Sequence, residues 1–275
     1  MGRGPLELLG AGALADHLGS GGSDVEVVEV AEPTETHEIG RVFELNRALA
    51  RRVAAARQAG RLPLILSGNC NACLGAIAGI DAPAAAIAWL DAHPDFHTPE
   101  TSDTGFLDGM GLATATGACW STLAGSVHGF HPVEERNTIL VGVRDVDPGE
   151  QQRLDSAEVA VIEGGIGPGG LALADLRRAV ATVADHADGT YLHLDFDSID
   201  PTFGRANEYA TDGGLGIGDV QAVTSSVAER MPIMAVSFTA YNPDVDPDHR
   251  FRATAVEVVG SVVERLVRPS PEHTA

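Results

Sequence analysis

Two short runs in the sequence place acidic and imidazole side chains at alternating positions, each directly after an apolar segment. Residues i, i+2 and i+4 of an extended chain point to the same side, so the side chains of each run can converge. Carboxylates crowded together without cations repel one another and shift their pKa values, and divalent metal ions remove that repulsion. Carboxylate oxygens with an imidazole suit Mn²⁺ or another first-row ion. The candidate ligands are Asp91, His93 and Asp95 in DAHPD, and Asp195 and Asp197 in DFD.

A third run, SGNCNAC, follows another apolar segment and contains Cys70 and Cys73 in a C-x-x-C spacing. This spacing is compatible with a redox dithiol, with half of a zinc site, or with two unrelated thiols. The chain has three cysteines, which is too few for a disulfide framework. Free thiols indicate a reducing environment, and we therefore expect a cytoplasmic protein.

Apolar, β-branched segments alternate with helical patterns along the chain, which predicts strands separated by helices. Continuous apolar strands of this kind form a parallel sheet covered on both faces. We therefore predict a three-layer α/β/α sandwich with a mainly parallel central sheet, in which residues 1–275 form a single domain. In such sheets ligands bind beyond the carboxyl ends of the strands, where the three runs lie. The predicted strands are 24–30, 62–66, 85–90, 138–143, 157–162, 189–194 and 233–237, and the predicted helices are 42–59, 111–123, 171–187, 218–230 and 252–267.

The composition restricts the possible partners. The chain has 39 acidic and 18 basic residues and a formal net charge of −21, so its surface repels phosphates. We therefore expect neither a nucleic acid nor an anionic membrane as a partner. No apolar run of about eighteen residues predicts a membrane span. A small cationic substrate is compatible with the charge.

The order of these motifs resembles the arginase/agmatinase ureohydrolases. DAHPD is similar to the first signature of that family, and LDFDSIDP to the second, followed by Gly213-Gly214-Leu215 at the family spacing. The loop 144–150 and the segment 236–243 also have counterparts, so the resemblance covers essentially the whole chain. It implies a three-layer α/β hydrolase of C–N bonds in linear amidines, with two divalent metal ions, Mn²⁺ in the family, and a small cationic guanidino substrate.

The resemblance also implies roles for individual residues. Asp91 and Asp195 would bridge the two ions, Asp95 would bind the first, and His93 and Asp197 the second. The family supplies one more histidine ligand, and Cys70 stands at that position as a ligand thiolate, while Cys73 is expected to fill the core. Four residues fall at positions that contact the amino-acid end of the substrate: His97, Thr104, Asp147 and Glu150.

Three further positions depart from the family pattern. Asp108 stands where arginases have a histidine thought to shuttle protons, and Ala240 where a glutamate pairs with the guanidinium. Phe106 replaces an asparagine near the substrate. Asp95 is then expected to orient the attacking hydroxide. The leaving amine is expected to take its proton from Asp95, from Asp108, from a nearby residue such as Glu208, or from solvent.

The departures leave three hypotheses. The protein is an inactive metal-binding relative, an arginase- or agmatinase-type hydrolase that releases urea, or an enzyme for a modified guanidino group. An N-hydroxyguanidine is less basic and depends less on an anionic clamp. The cysteine ligand without a shuttle histidine resembles the Nω-hydroxy-L-arginine hydrolases of antibiotic biosynthesis. We therefore rank first the hydrolysis of Nω-hydroxy-L-arginine to hydroxyurea and L-ornithine, by attack of a metal hydroxide on the guanidino carbon.

Overall fold

The computed structural model of the chain describes Gly19, residues 24–167 and residues 169–267. This part of the chain contains a six-stranded sheet in which all neighbouring strands are parallel. The strands are β1 (Leu64–Ser67), β2 (Ala85–Leu90), β3 (Thr138–Val141), β4 (Ala160–Ile162), β5 (Gly189–Asp195) and β6 (Ile233–Thr239). They lie in the order β1-β6-β5-β2-β3-β4. The strands that precede the three polar runs, β1, β5 and β2, therefore lie close together, with β6 between β1 and β5.

Helices cover both faces of this sheet, which confirms the predicted α/β sandwich. Because side chains alternate along a strand, Leu90 and Leu194 pack on one face while Trp89 and Tyr191 pack on the other. The first face is covered by the helices Leu173–Ala184, Ile217–Ala228 and Arg250–Val267, and the second by the helices Glu38–Gln58 and Cys73–Ile80. The described helices are α1 (Glu38–Gln58), α2 (Cys73–Ile80), α3 (Gly111–Ala115), α4 (Ser121–Ala124), α5 (Pro148–Leu154), α6 (Leu173–Ala184), α7 (Ile217–Ala228) and α8 (Arg250–Val267).

Helix α2 follows the C-x-x-C run directly and was not among the predicted helices. It packs so closely on α1 that a Cβ on Gly79 would lie 2.4 Å from Cβ of Val53. At Gly75 a Cβ would lie 2.8 Å from the carbonyl oxygen of Asn46, and the Gly75 N–H donates a 2.6 Å hydrogen bond to Oδ1 of Asn46. Two glycines one helical turn apart thus let α2 hold the Cys70 turn against the sheet.

Two sequence-based predictions were wrong. The alternating segment 24–30 forms no strand; Val25, Val27 and Val28 are 38–47% exposed, and the segment is held by ion pairs of Arg61 instead. Among the residues that the structure describes, no strand lies beside this segment, and its valines are exposed. The predicted helix 111–123 is interrupted between α3 and α4, because Gly117 and Trp120 adopt left-handed backbone conformations, with φ of +83° and +51°.

No helix in the described part of the chain combines the length and the apolar character needed to cross a membrane.

Candidate metal centre

The predicted ligands come together at the carboxyl edge of the sheet. The turn after β1 carries Cys70, the turn after β2 carries Asp91, and β5 ends with Asp195. Thr239, the last residue of β6, lies between the β1 and β5 ends because β6 pairs with both strands. Parallel strands end at the same edge, which brings residues far apart in sequence to one point.

The first group consists of Asp91, His93 and Asp197. Nδ1 of His93 lies 3.4 Å from Oδ1 of Asp91 and 3.4 Å from Oδ2 of Asp197. Hydrogen bonds fix both carboxylates: Nε1 of Trp89 donates to Asp91 at 2.9 Å, and Nδ2 of Asn207 donates to Asp197 at 3.1 Å. The three ligand atoms are close enough to hold one cation.

The second group is built around Cys70, which is 3% exposed. Its thiol donates a 2.9 Å hydrogen bond to Oδ2 of Asp195 and lies 3.2 Å from Oγ1 of Thr239. Cys73 points elsewhere, and its Sγ lies 3.6 Å from the carbonyl oxygen of Gly111 in the core. The two thiols therefore have separate environments, which argues against a C-x-x-C disulfide.

The sequence reasoning missed His193, which is fully buried beside Cys70. Its ring stacks on Trp89 with centroids 3.6 Å apart, and its Nδ1 lies 3.0 Å from both the Tyr191 hydroxyl and the Ser237 hydroxyl. Burial lowers the pKa of His193 to about 3, so the imidazole is neutral. The available signal was its position two residues before Asp195, on the same side of β5.

Electrostatics support the need for cations. Burial, followed by the charge of Asp197, raises the pKa of Asp91 from 3.8 to about 7. Burial and neighbouring carboxylates also raise the pKa of Asp95 and of Asp195, and burial with Asp195 raises the pKa of the Cys70 thiol. Metal ions favour the charged forms of all these groups, so the donor set fits divalent cations.

His93 is the one cationic partner shown within this cluster of described residues. Burial by itself would lower its pKa, but the hydrogen bonds that His93 donates to Asp197 and Asp91, and the negative charges of these two residues, raise it to about 12. The same interactions hold the pKa of Asp197 at about 2 despite its burial. In the absence of metal, protonated His93 thus supplies the positive charge between the carboxylates of Asp91 and Asp197.

Asp95 and Asp108 lie on the Cys70 side of the centre. Asp95 is buried and has φ of +47°, a left-handed backbone conformation in which its carbonyl accepts from the N–H groups of Leu112 and Ala113. The carboxylate of Asp108 accepts hydrogen bonds of 2.9 Å from Nδ2 of Asn69 and 3.0 Å from the N–H of Asn71. Asp108 therefore holds the turn that carries Cys70.

Three of the four predicted substrate contacts form a separate cluster. Nε2 of His97 lies 2.6 Å from Oδ2 of Asp147 and 3.8 Å from Oε2 of Glu150. Oδ1 of Asp147 accepts from the N–H groups of Gly149 and Glu150 at the start of α5, which fixes this cluster to a helix N-terminus. Thr104 is exposed, and its Oγ1 accepts a 3.1 Å hydrogen bond from the N–H of Phe106.

An aromatic pair stands beside His93. Phe106 and Tyr209 are 47% and 57% exposed, with ring centroids 6.1 Å apart, and Tyr209 meets the His93 ring edge-on at 6.2 Å. Phe106 was known from the sequence only as a departure from the family asparagine. The structure shows that it pairs with a tyrosine at the approach to the centre.

Arg144 is not a predicted ligand, but it stabilises the turns that carry the candidate metal centre. Its Nη2 donates to the carbonyl oxygens of Asp197 and Thr211 at 2.8 and 2.7 Å, and its Nη1 donates to that of Gly142 at 2.9 Å. One guanidinium thus joins the turns after β3 and β5 with the segment near residue 211. Because its guanidinium donates to these backbone oxygens, Arg144 fixes the backbone that carries Asp197.

The fold and the donor set define a parallel α/β protein with a carboxylate-rich candidate metal centre. The profile of the arginase family matches residues 4–264, so the chain belongs to the arginase family, as the sequence motifs predicted. Enzymes of this family hydrolyse guanidino C–N bonds of small substrates and use a binuclear metal centre. The chain is therefore a hydrolase of the ureohydrolase class.

Individual relatives agree with this assignment. The chain is 31% identical to the arginase of Brevibacillus brevis over 234 residues, which cover 83% of this chain and 78% of the relative. It is 32% identical to an N(omega)-hydroxy-L-arginine amidinohydrolase of Streptomyces lavendulae over 198 residues, which cover 71% and 66% of the two chains. The crystal structure of the Bacillus cereus arginase superposes with a TM-score of 0.80 at 26% identity, and the match covers 98% of this chain and 93% of that one.

Proposed function

We propose that the protein hydrolyses Nω-hydroxy-L-arginine to hydroxyurea and L-ornithine. Water adds its oxygen to the guanidino carbon, the bond from that carbon to the ornithine δ-nitrogen breaks, and the δ-nitrogen takes up a proton. The observation that carries this proposal is the thiol of Cys70, placed 2.9 Å from Asp195 at the family's histidine position. The likeness to the Streptomyces lavendulae amidinohydrolase supports the same substrate.

Six side chains would hold two ions, which we propose to be Mn²⁺ in at least one position. His93 and Asp197 would bind one ion, Cys70 and Asp95 the other, and Asp91 and Asp195 would lie between them. When bound, the ions supply a nucleophile at neutral pH and polarise the substrate. The ligands come from the ends of strands β1, β2 and β5 of one sheet, in support of the proposal that residues 1–275 form a single domain.

The cluster of His97, Asp147 and Glu150 would bind the amino-acid end of the substrate. Asp147 is about half exposed. Burial acts to raise its pKa, but the backbone N–H donors and His97 together outweigh burial and lower the pKa, so Asp147 stays anionic and suits the α-ammonium group. Glu150 is buried next to it and accepts from the N–H of Phe96 at 3.1 Å. His97 and Thr104 would contact the α-carboxylate directly or through water.

The guanidino end of the substrate has less anionic support than in an arginase. Ala240, at the position of the family glutamate, adopts φ of +63°, and its carbonyl oxygen accepts a 3.0 Å hydrogen bond from Asn207. Its methyl side chain offers no charge to a guanidinium. A strongly basic guanidinium would enter this site without its usual counter-ion, whereas the less basic hydroxyguanidine needs none.

The leaving δ-amine needs a proton, and we assign its delivery to Asp95 and Asp108. Burial raises the pKa of the Asp108 carboxyl group above its ordinary value, and Asp95, as a ligand carboxylate, would accept the proton of the attacking water and pass it on. Asp95 would also orient the attacking water, because its carboxylate lies on the Cys70 side of the centre. Asp108 is not one of the proposed ligands, so Asp108→Asn tests its contribution without removing a metal ligand, although it also changes the contacts with Asn69 and Asn71.

The experiment is a product assay on the metal-loaded protein with Nω-hydroxy-L-arginine, L-arginine and agmatine. We expect ornithine and hydroxyurea from the hydroxylated substrate, and little ornithine or putrescine from the other two. Efficient release of urea from arginine or agmatine would replace the proposal with an ordinary ureohydrolase. Full metal loading without turnover of any of the three would indicate an inactive metal-binding relative.

A further inference from the structure

His193 has the position and the contacts of a metal ligand rather than those of a core residue alone. It is fully buried at the carboxyl end of β5, on the same side as the Cys70 thiol. Its ligand nitrogen, the Sγ of Cys70 and a carboxylate oxygen of Asp91 all lie within 4.8 Å of one another. A single cation can contact three donors at such separations, since metal–ligand distances are about 2.0–2.3 Å for nitrogen, oxygen and sulfur.

The two ring nitrogens of His193 have different surroundings. Nδ1 lies 3.0 Å from the hydroxyls of Tyr191 and Ser237, which are themselves 2.5 Å apart. Nε2 faces the candidate metal centre. Its contact among the described residues is with Oγ1 of Thr239, 3.5 Å away. That separation is longer than an ordinary hydrogen bond. Nδ1 thus has two hydroxyl partners, whereas Nε2 has only a long contact with Thr239. This pattern is typical of a metal-binding histidine, which donates its Nδ1–H to a neighbour and binds the metal through the lone pair of Nε2.

Trp89 fixes the ring in this orientation from its face. The indole stacks on the imidazole at 3.6 Å with an interplanar angle of 15°, and its Nε1 donates to Asp91, the third member of the group. The same tryptophan thus orients two of the three donors. If His193 only filled the core, there would be no reason for the tryptophan that orients it to orient Asp91 as well.

We propose that His193 is an additional ligand of the ion held by Cys70, and that this ion is softer than Mn²⁺. The inference rests on the proposed metal centre, but not on the identity of its substrate. A thiolate and an imidazole beside carboxylates shift the preference of a site from Mn²⁺ toward Zn²⁺ or Co²⁺. The centre is then asymmetric: His93 and Asp197 form an oxygen-rich position, and Cys70 and His193 form a position for a thiophilic ion.

The test compares the wild type with His193→Phe and with Cys73→Ser as the matched control. Phenylalanine keeps the stack on Trp89 and removes both nitrogens, while Cys73 is an equally buried neighbour whose thiol faces Gly111. Metal-free protein of each variant is titrated with Zn²⁺, Co²⁺ and Mn²⁺, bound metal is counted by mass spectrometry, and the thiolate-to-cobalt charge-transfer absorption is recorded. None of these measurements requires turnover.

The wild type and Cys73→Ser should bind two ions and prefer Zn²⁺ and Co²⁺ at one position. His193→Phe should weaken that position by at least about 100-fold, since loss of an outer partner alone costs about 10–100-fold. It should also change the cobalt spectrum while the second ion stays bound. Unchanged affinity, preference and spectrum in His193→Phe would overturn the proposal.

A measurement on the wild type covers the case in which His193→Phe does not fold. In the cobalt-loaded protein each coordinated imidazole gives a strongly shifted ring N–H resonance in the proton NMR spectrum. Two such signals, one from His93 and one from the buried His193, support the proposal. One signal, lost in His93→Ala, would overturn it. If the protein binds metal in this way but does not turn over Nω-hydroxy-L-arginine, the proposed substrate fails and this inference stands.

Discussion

Replacement of Cys70 by alanine separates the two thiols of the C-x-x-C run. Cys70 is 3% exposed and donates to Asp195, whereas Cys73 is fully buried and contacts the backbone of Gly111. If Cys70 is a ligand, its loss should weaken metal binding by more than the 10–100-fold that removal of an outer partner costs. A 100-fold loss corresponds to about 2.8 kcal/mol, because each factor of ten is about 1.4 kcal/mol.

That loss can be read as a change in stability. Metal that binds only the folded state stabilises it by RT ln(1 + [metal]/Kd), so a 100-fold weaker Kd removes about 2.8 kcal/mol of metal-dependent stability. In a chain of this length one kcal/mol shifts Tm by about 2–4 °C, so the metal-induced rise in Tm should shrink by roughly 5–10 °C. Differential scanning calorimetry with and without saturating metal, together with a metal count, measures this effect.

Cys73→Ala is the control for that measurement. It removes one buried sulfur from the core and should lower stability by about 1 kcal/mol equally with and without metal. The reasoning is refuted if Cys70→Ala keeps the full metal-induced rise and two bound ions. Equal loss of the metal-induced rise in both variants would instead indicate a site that uses both thiols.

Three further predictions concern the supports of the centre, its pH dependence and substrate binding. Arg144→Met should lower the free energy of unfolding by about 3 kcal/mol and weaken metal binding, because carbonyl oxygens such as that of Asp197 lose a charged hydrogen-bond donor. Urea unfolding measures the loss of stability, and metal titration measures the loss of affinity. Stability of the metal-free protein should fall as the pH rises toward about 7, because the raised pKa values of Asp91, Asp95 and Asp195 favour the protonated folded state; the Asp91 contribution is complete below 3.8 and lost by about 7, and the three carboxyl groups together outweigh the opposite contribution of His193, whose pKa is lowered to about 3. Thermal unfolding across pH should show this fall without metal and not with saturating metal. Asp147→Asn should raise KM for Nω-hydroxy-L-arginine by about tenfold or more with a smaller change in kcat, and an unchanged KM would remove Asp147 from the substrate site.

The sequence was sufficient for the layers of the fold and for the convergence of the acidic runs. Strands 85–90 and 189–194 are continuous apolar segments, and their carboxyl ends must meet once the sheet is parallel. The segment 24–30 shows the limit of this reasoning. Alternation shows which side chains share one face of an extended segment, but the segment forms part of a sheet only if a second strand pairs with it. The local sequence does not show whether such a strand is present.

The interior of the site was predictable only in part. His193 lies within an apolar strand and reads as a core residue until β1, β5 and β2 are placed so that Cys70, Trp89 and Asp91 surround it. Asp108 is a similar case, because its partners Asn69 and Asn71 come from a turn 37–39 residues earlier in the chain. Contacts of this kind depend on tertiary packing, which the sequence pattern does not encode locally.

The most direct test of the proposed function is the ratio of kcat/KM for Nω-hydroxy-L-arginine to that for L-arginine, measured on one metal-loaded preparation with its metal content determined. The missing clamp at Ala240 and the cysteine ligand predict a ratio above about 100, which corresponds to about 2.8 kcal/mol of transition-state discrimination. A ratio near one, or a preference for arginine, would contradict the proposed substrate.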